Sequence, residues 1–297
     1  MQSCMFSVDV EDWFQVENLK GRINRNSWDD RELRVEDNMD RLLRILSDQK
    51  VMATFFILGW IAKRCPALIK RIAAEGHEIA SHGYNHYLLG EQSQQDFQDD
   101  IVSSKRLLED LTGKAVIGYR APSFSITDWA IPLLKKAGFL YDSSFFYNPY
   151  HSRYGKLTTP QNYGIIALQE KFYEVAIPSL SVMGRSIPWG GGGYFRLYPI
   201  GIFCAGAKRI LHEQGDFLFY MHPWEIDPGQ PRINGIKRSY AFRHYYGLAQ
   251  TEAKLARLLK TFRFVPIQTL LKTRISQIGM ERNEKEETVM AISEVKQ

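Results

Sequence analysis

Apolar runs alternate with amphipathic segments along the first half of this 297-residue chain, and this alternation restricts the fold more than any other feature. The run at 51–58 is almost continuously apolar, which is typical of a strand buried on both faces of a parallel sheet. Segments with helical periodicity flank it at 35–49 and 61–75. The same order recurs as far as residue 142, so the sequence predicts an α/β fold built from parallel βα units.

The alternation stops in the second half of the chain. Residues 147–195 are rich in Gly, Pro, Tyr and Ser, which predicts a long irregular insertion with a possible strand at 173–177. Regular structure is expected to resume after it, with helices and strands at about 199–213, 217–221, 245–262 and 264–267. The polar tail at 279–297 is predicted to be disordered.

Four short polar motifs each follow a predicted strand. They are Asp9-Val10-Glu11-Asp12, His82-Gly83-Tyr84-Asn85-His86, Arg120-Ala121-Pro122 and Met221-His222-Pro223-Trp224. In parallel α/β folds the chemistry collects at the carboxyl ends of the strands, so we expect these motifs to meet at one edge of the sheet. Acids, a histidine pair, an arginine and a late histidine are together the parts of a metal-assisted hydrolytic site.

The histidine pair is a candidate for two ligands on one metal ion. His82 and His86 are spaced i, i+4, and on one helical turn both imidazoles would face the same way. With one carboxylate they would leave positions open on the ion for water and substrate. For the pair taken alone, two surface histidines that recur by chance are the alternative.

The acidic motif has two interpretations. Asp9, Glu11 and Asp12 repel one another unless a cation or a proton lies among them, which favours one metal ligand and one general base. The alternative is an ordinary acidic loop or a helix cap.

The arginine and the late histidine complete the candidate set. Arg120 could orient a carboxylate or contact a developing anion, or it could form a structural salt bridge, for example with Asp142. His222 could protonate a leaving amine, ligate the metal or be a core histidine. Trp224 could form an apolar wall against a sugar ring, and Glu225 could orient the imidazole.

A run of four glycines at 190–193 precedes Tyr194. It lacks the pattern of a phosphate-binding P-loop. Such a run could let the backbone approach a ligand closely, flex as a lid, or form a plain turn.

Composition narrows the partners and the compartment. A net charge of +5 with no long Lys/Arg run argues against nucleic acid as a partner. Three separated cysteines without CxxC spacing argue against a disulfide framework or a thiolate zinc site and favour reduced thiols. No signal-peptide pattern opens the chain, and no apolar run approaches the ~20 residues of a membrane span. We therefore expect a cytoplasmic protein without a transmembrane segment, peripheral at most to the inner membrane.

The four motifs together resemble those of the NodB-homology polysaccharide deacetylases, a carbohydrate esterase family. Three phrases carry a closer likeness to the subfamily encoded with exosortase-linked exopolysaccharide loci. They are Ser7-Val-Asp-Val-Glu-Asp-Trp13, Gly191-Gly-Gly-Tyr-Phe-Arg196 and Met221-His-Pro-Trp-Glu-Ile-Asp227. The resemblance implies a distorted (β/α) barrel, with seven strands expected, over 1–275, in which about 190–275 is a subfamily-specific portion.

The resemblance also implies residue roles. Asp9 matches the base, Arg120 the arginine that orients it, and His222 the acid. His82 and His86 match the metal-binding histidines. The usual pair of adjacent aspartates is absent, so either Glu11 or Asp12 would be the third ligand, and Asp142 would stand in for the acid of the family's fourth motif. Tyr147, Tyr194 and Trp224 are expected to bind substrate, with a backbone N–H near Tyr147 in the oxyanion site.

The implied activity is removal of N-acetyl groups from amino sugars of a polysaccharide or its lipid-linked precursor. The implied cofactor is a divalent metal, Zn²⁺ first, with Co²⁺, Ni²⁺ or Mn²⁺ as substitutes. The implied partners are an N-acetylated glycan and membrane-bound polysaccharide assembly machinery. Three rivals remain at this point: an allantoinase-like cyclic amide hydrolase, a non-catalytic glycan-binding barrel, and a structural subunit of an assembly complex.

Overall fold

A curled, largely parallel sheet organises the protein, whose computed structural model describes residues 3–146, 155–159, 161 and 163–276. The strands are β1 (Ser3–Val10), β2 (Thr54–Ile57), β3 (Glu78–Ser81), β4 (Gly118–Tyr119), β5 (Tyr141–Asp142), β6 (Ile165–Gln169), β7 (Phe172–Val175), β8 (Ser179–Val182), β9 (Arg185–Pro188), β10 (Leu218–Met221) and β11 (Arg263–Val265). The main sheet has the order β10-β1-β2-β3-β4-β5-β7-β6, and β11 pairs with the start of β1. The predicted α/β barrel is confirmed as a half-barrel.

The strand count differs from the expected seven. The seven consecutive strands from β10 to β7 in the sheet order are all parallel to one another, as predicted. Two further strands join this path: β6 runs antiparallel to β7, and β11 runs parallel to β1. The described part of the main sheet is therefore nine-stranded.

Helices surround the sheet, and most of them pack against its outer face. They are α1 (Val35–Asp48), α2 (Gly59–Arg64), α3 (Pro66–Ala74), α4 (Gln94–Thr112), α5 (Ala130–Lys136), α6 (Gly192–Leu197), α7 (Ile200–Gln214), α8 (Arg238–Tyr245) and α9 (Leu248–Thr261), and residues 267–276 are also helical. The single helix predicted at 61–75 is wrong, because Pro66 cannot continue α2 and instead begins α3. None of the described helices combines the length and hydropathy needed to cross a membrane.

The sheet is buried on both faces, which explains the continuous apolar strands. One cluster packs the outer face against the helices, with Phe55 and Ile57 from β2. A second cluster fills the inside of the curl, where Phe56 from β2 meets Ile267 and Leu271. The backbone N–H of Ile267 donates to Thr54 Oγ1 at the start of β2, so helix 267–276 lies at the amino end of the barrel.

Within the predicted irregular insertion, residues 165–188 are more regular than expected, and the possible strand at 173–177 overlaps β7. This segment forms two antiparallel hairpins, β6–β7 and β8–β9. The turns of these hairpins contain Lys171 (φ 60°), Met183 (φ 50°) and Gly184 (φ 74°), which all have positive φ angles. The predicted tail disorder concerns 279–297, which lies outside the described residues.

The glycine run closes the gap between the two ends of the curl. Gly190 accepts a hydrogen bond from the backbone N–H of Tyr220 in β10 (2.8 Å), and Trp189 donates to the carbonyl of Pro178 just after β7 (3.0 Å). Gly191 forms a β-bridge with Tyr220 at φ 145°. The close approach that the glycines permit is thus to a strand of the barrel itself.

Gly191→Ala is expected to destabilise the protein strongly. A Cβ there would lie 1.9 Å from the Tyr220 carbonyl oxygen, on a backbone conformation that L-residues rarely adopt. We expect a loss of about 3 kcal/mol or more, measured by urea unfolding. Gly201→Ala in α7 is the matched control, because a Cβ there meets nothing within 4 Å and alanine favours a helix. Equal urea midpoints of unfolding for the two variants would contradict the close packing of Gly191 against Tyr220.

Candidate active site

The four polar motifs meet at the carboxyl edge of the sheet. Asp9 lies at the end of β1, His82 directly follows β3, Arg120 follows β4, and His222 follows β10. These strands lie close together in the curl, since the order β10-β1-β2-β3-β4 brings their ends side by side. The expected convergence is therefore observed.

Glu11, His82 and His86 form a buried triad. Glu11 Oε1 lies 2.8 Å from His82 Nε2 and 2.9 Å from His86 Nε2. One ligand atom from each of the three residues lies within 4.8 Å of the others. Two imidazole nitrogens thus converge on one carboxylate oxygen, as in a site that holds a cation.

The hydrogen bond at His82 Nδ1, the ring nitrogen that points away from Glu11, shows whether Nε2 can act as a metal ligand. His82 Nδ1 lies 2.8 Å from the Arg120 carbonyl oxygen, which can only accept, so Nδ1 carries the proton. In the neutral imidazole, Nε2 then presents a lone pair to the Glu11 carboxylate. A cation between these atoms relieves that repulsion, so the donor set fits a divalent metal with imidazole and carboxylate ligands.

The histidines converge through a loop rather than one helical turn. His86 has a left-handed backbone conformation with φ 57°, and residues 82–88 are not helical. The Asp100 carboxylate from α4 accepts the backbone N–H groups of Tyr84 (2.6 Å) and Asn85 (3.1 Å). The two imidazoles thus lie close together, but through a loop and not through the helical turn that the i, i+4 spacing predicted.

Asp12 faces away from the histidines. Its carboxylate accepts the backbone N–H groups of Trp13 (2.7 Å), Arg34 (2.7 Å) and Val35 (2.9 Å), so it caps the start of α1. Burial raises the pKa of Asp12 to about 6, against the lowering effect of these hydrogen bonds. The interpretation of Asp12 as a cap thus has structural support, and Glu11 is the acid beside the histidines.

Arg120 is fully buried and holds Asp9. Its Nη1 donates to Asp9 Oδ1 (2.6 Å) and to Ser7 Oγ (2.9 Å), while Nε donates to the Ser143 carbonyl oxygen (2.8 Å). The alternative partner Asp142 instead accepts from Ser144 Oγ (2.6 Å). Arg120 therefore fixes one oxygen of Asp9 and leaves Oδ2 for other contacts.

His222 lies between two acids. Its Nδ1 is 2.9 Å from Glu225 Oε1, and its Nε2 is 3.9 Å from Asp9 Oδ2. Burial lowers the pKa of His222, but the hydrogen bond to Glu225 and the charges of Glu11, Glu225 and Asp9 together raise it to about 9. The imidazole is therefore protonated at neutral pH. The acid in contact with Nδ1 is Glu225. Asp142, expected to stand in for the acid of the family's fourth motif, instead accepts from Ser144 Oγ (2.6 Å).

Arg196 is a site residue that sequence reasoning missed. Its Nε donates to Glu225 Oε2 (2.7 Å), and its Nη atoms donate to the carbonyls of Arg243 (2.7 Å), His244 (2.9 Å) and Tyr246 (2.6 Å). Burial raises the pKa of Glu225, but Arg196 and His222 together lower it to about 2. The position of Arg196 just after the glycine run was the one sequence signal that could have pointed to it. No spacing rule links Arg196 to Glu225.

A cavity of about 640 Å³ opens over these residues. Its lining includes Asp9, Glu11, His222, Tyr194 and Trp224. That volume falls within the roughly 300–1,000 Å³ of ligand pockets.

The expected substrate-binding aromatics differ in their exposure. The Trp224 ring is buried and stacks on the imidazoles of His222 (centroids 5.1 Å apart) and His244 (4.5 Å). Tyr194 is partly exposed in the cavity wall. Tyr147 lies outside the described residues.

Two family models match parts of the chain, and a solved structure shares its fold. Residues 25–141 match the family model described as polysaccharide deacetylase, and residues 143–272 match a domain of unknown function, DUF3473. A candidate polysaccharide deacetylase from Mycobacterium smegmatis shares the fold, with a TM-score of 0.60 and 21% identity over 93% of this chain and 91% of that one.

Two curated proteins share sequence identity with part of the chain. A peptidoglycan deacetylase of Helicobacter pylori is 33% identical over 135 residues, which are 44% of this chain and 46% of that protein. A peptidoglycan-N-acetylglucosamine deacetylase of Bacillus cereus is 32% identical over 99 residues, 33% of this chain and 46% of that protein. The chain thus spans less than half the length of these relatives. The amino-terminal part of the chain is thus similar in sequence to polysaccharide deacetylases.

Proposed function

We propose that this protein is a metal-dependent deacetylase that hydrolyses N-acetyl groups of amino sugars in a polysaccharide or its lipid-linked precursor. The observation that carries the proposal is the convergence of Glu11, His82 and His86, with Asp9 and His222 beside them. A metal triad flanked by an acid and a protonated histidine suits amide hydrolysis, which needs both a base and an acid.

Glu11, His82 and His86 would hold the divalent metal through Oε1 and the two Nε2 atoms. Zn²⁺ is the first choice because imidazole and carboxylate ligands suit it, and Co²⁺, Ni²⁺ or Mn²⁺ could substitute. When bound, the ion would polarise the acetyl carbonyl and lower the pKa of a water molecule. Asp12 has no part in this ligand set, because its carboxylate is occupied by backbone N–H groups.

Asp9 and His222 would move the protons. Arg120 holds Asp9 Oδ1, so Oδ2 is the atom that accepts a proton from the attacking water. His222 Nε2 donates a proton to the departing amine, and Glu225 keeps Nδ1 protonated and the ring oriented. These roles are supported by the position of Asp9 and His222 on one cavity, with 3.9 Å between Asp9 Oδ2 and His222 Nε2.

The proposed biological setting is exopolysaccharide biosynthesis. The DUF3473 match over 143–272 is compatible with the exosortase-linked subfamily that the sequence phrases resemble. Tyr194 and Trp224, which line the cavity, would contact the glycan. A cytoplasmic location, with association to membrane-bound assembly machinery, belongs to the same proposal.

Acetate release from N-acetylated oligosaccharides tests the function. We expect release by the zinc-loaded protein, loss of release after chelation, and recovery with Zn²⁺ or Co²⁺. Allantoin as a parallel substrate distinguishes the cyclic amide hydrolase. Oligosaccharide binding without acetate release would indicate a binding barrel, and neither binding nor release would favour an assembly subunit.

Glu225→Gln is expected to move the alkaline limb of the pH–rate profile. His222 acts protonated, so activity should fall as pH rises through its pKa, about 9 in the wild type. Removing the Glu225 charge lowers that pKa, so the limb should shift to lower pH by about one unit or more. The measurement is kcat/KM against pH, with the surface variant Glu213→Gln as control. An unmoved limb would show that His222 is not the titrating acid.

A further inference from the structure

Helix α8 forms the outer wall of the cavity that also contains Asp9 and His222. Its cavity-lining residues are Arg238, Ser239, Phe242 and Arg243, and the C-cap Tyr246 follows them. The spacing i, i+1, i+4, i+5 places them on one face of the helix. The wall therefore consists of one helix face with two arginines and an aromatic side chain.

In the described part of the chain, the two arginines of this wall have no acidic partner, whereas three acids that line the cavity are each paired with a basic side chain. Asp9 is paired with Arg120, Glu225 with Arg196, and Glu17 with Lys20 at 3.7 Å. Among the residues that the structure describes, Arg238 and Arg243 have no carboxylate within 4.0 Å, and both are exposed. The outer half of the cavity thus carries an excess of positive charge.

Exposed aromatic rings accompany the arginines. Phe242 is 53% exposed and Tyr246 is 44% exposed, although both lie on the cavity. Their ring centroids are 4.8 Å apart, so they form one continuous apolar surface. Exposed apolar patches beside a pocket are typical of ligand-binding grooves.

The wall is held rigidly against the catalytic residues. Arg196 donates to the carbonyls of Arg243, His244 and Tyr246 and at the same time to Glu225. The end of α8 is thereby tied to the acid that orients His222. A ligand group on α8 would be positioned relative to the reacting acetamide without further ordering of this segment.

We propose that α8 forms a subsite for an anionic group, a carboxylate or a phosphate, on a sugar unit next to the N-acetylated one. The guanidinium groups of Arg238 and Arg243 bind such groups through paired N–H bonds, and Phe242 and Tyr246 contact the apolar face of the ring. The proposal rests on the deacetylase function proposed above and narrows its substrate class to acidic glycans.

The test compares two double variants of the zinc-loaded full chain. Arg238→Gln/Arg243→Gln removes the wall arginines, and Arg232→Gln/Lys237→Gln removes two exposed positive charges that do not line the cavity. Each protein receives three tetrasaccharides: neutral N-acetylglucosamine, an alternating glucuronic acid–N-acetylglucosamine chain, and the neutral chain with a terminal phosphate. Acetate release gives kcat/KM, and calorimetry gives Kd.

For the wall variant we expect kcat/KM on a carboxylate- or phosphate-bearing substrate to fall about tenfold, and on the neutral one by less than about twofold. The control variant should change neither. The acidic substrate whose kcat/KM falls in the wall variant shows whether the subsite binds a carboxylate or a phosphate. Equal effects on neutral and acidic substrates would overturn the subsite while leaving the deacetylase function intact.

Two further results separate the remaining cases. If the wild type releases no acetate from any substrate, the proposed function fails, and an acid-specific rise in Kd in the wall variant alone still supports the subsite. Loss of binding to vesicles of phosphatidylcholine and phosphatidylglycerol in the wall variant, with unchanged oligosaccharide Kd, would assign α8 to a membrane surface and overturn the proposal. Equal melting temperatures of the variants confirm that both are folded.

Discussion

Glu11→Gln is expected to weaken zinc binding by more than about a hundredfold and to lower acetate release by about a thousandfold or more. Glu11 Oε1 is the atom on which both histidine Nε2 atoms converge, at 2.8 and 2.9 Å. The substitution keeps the side-chain volume and removes only the charge that balances the ion. Zinc content after dialysis and kcat/KM for acetate release measure the two effects.

Asp12→Asn is the matched control for Glu11→Gln, because it makes the same chemical change one residue further along. The Asp12 carboxylate accepts three backbone N–H groups, and an amide NH₂ would face at least one of them. We expect normal zinc content and a loss of about 1–3 kcal/mol in unfolding free energy. Zinc loss in Asp12→Asn with retention in Glu11→Gln would reverse the assignment of the ligand.

Asp9→Asn is expected to lower kcat by about 10²–10⁴-fold while leaving zinc content unchanged. An asparagine can still accept the hydrogen bond from Arg120 Nη1 through its carbonyl oxygen, so the local structure should persist. Its amide cannot accept a proton from water as the Oδ2 atom of the carboxylate can. Single-turnover acetate release, with zinc content measured on the same sample, tests this role.

A structural variant elsewhere in the same network serves as the comparison for Asp9→Asn. Ser7→Ala removes one hydrogen bond from Arg120 Nη1 and leaves the pair with Asp9 intact. We expect it to retain activity within about tenfold. If Asp9→Asn keeps more than a tenth of wild-type activity, another group accepts the proton.

Much of the fold could be predicted because burial on both faces leaves a continuous apolar signature. The strand within 51–58 shows it: Phe55 and Ile57 pack outward, and Phe56 packs inward. The edge site could be predicted as well, since parallel strands bring their carboxyl ends together. What differed has local causes, namely Pro66 in the middle of a periodic segment and hairpin strands of only four or five residues at 165–188.

The roles of several residues needed contacts between distant parts of the chain. Arg196 and Glu225 are 29 positions apart, and their pairing depends on how α6 packs beside the end of β10. Helix α8 carries too few buried residues to show a helical period, so its place on the cavity could not be read from its pattern.

By itself the sequence determined the parallel α/β class, the edge at which chemistry would collect and the residue types available there. These follow from local patterns of burial and from the geometry of parallel strands. Only the tertiary structure shows that Glu11, and not Asp12, lies beside the two histidines. Adjacent acids have the same chemistry, and what separates them is that Glu11 meets two histidines from the loop after β3 while Asp12 meets the start of α1.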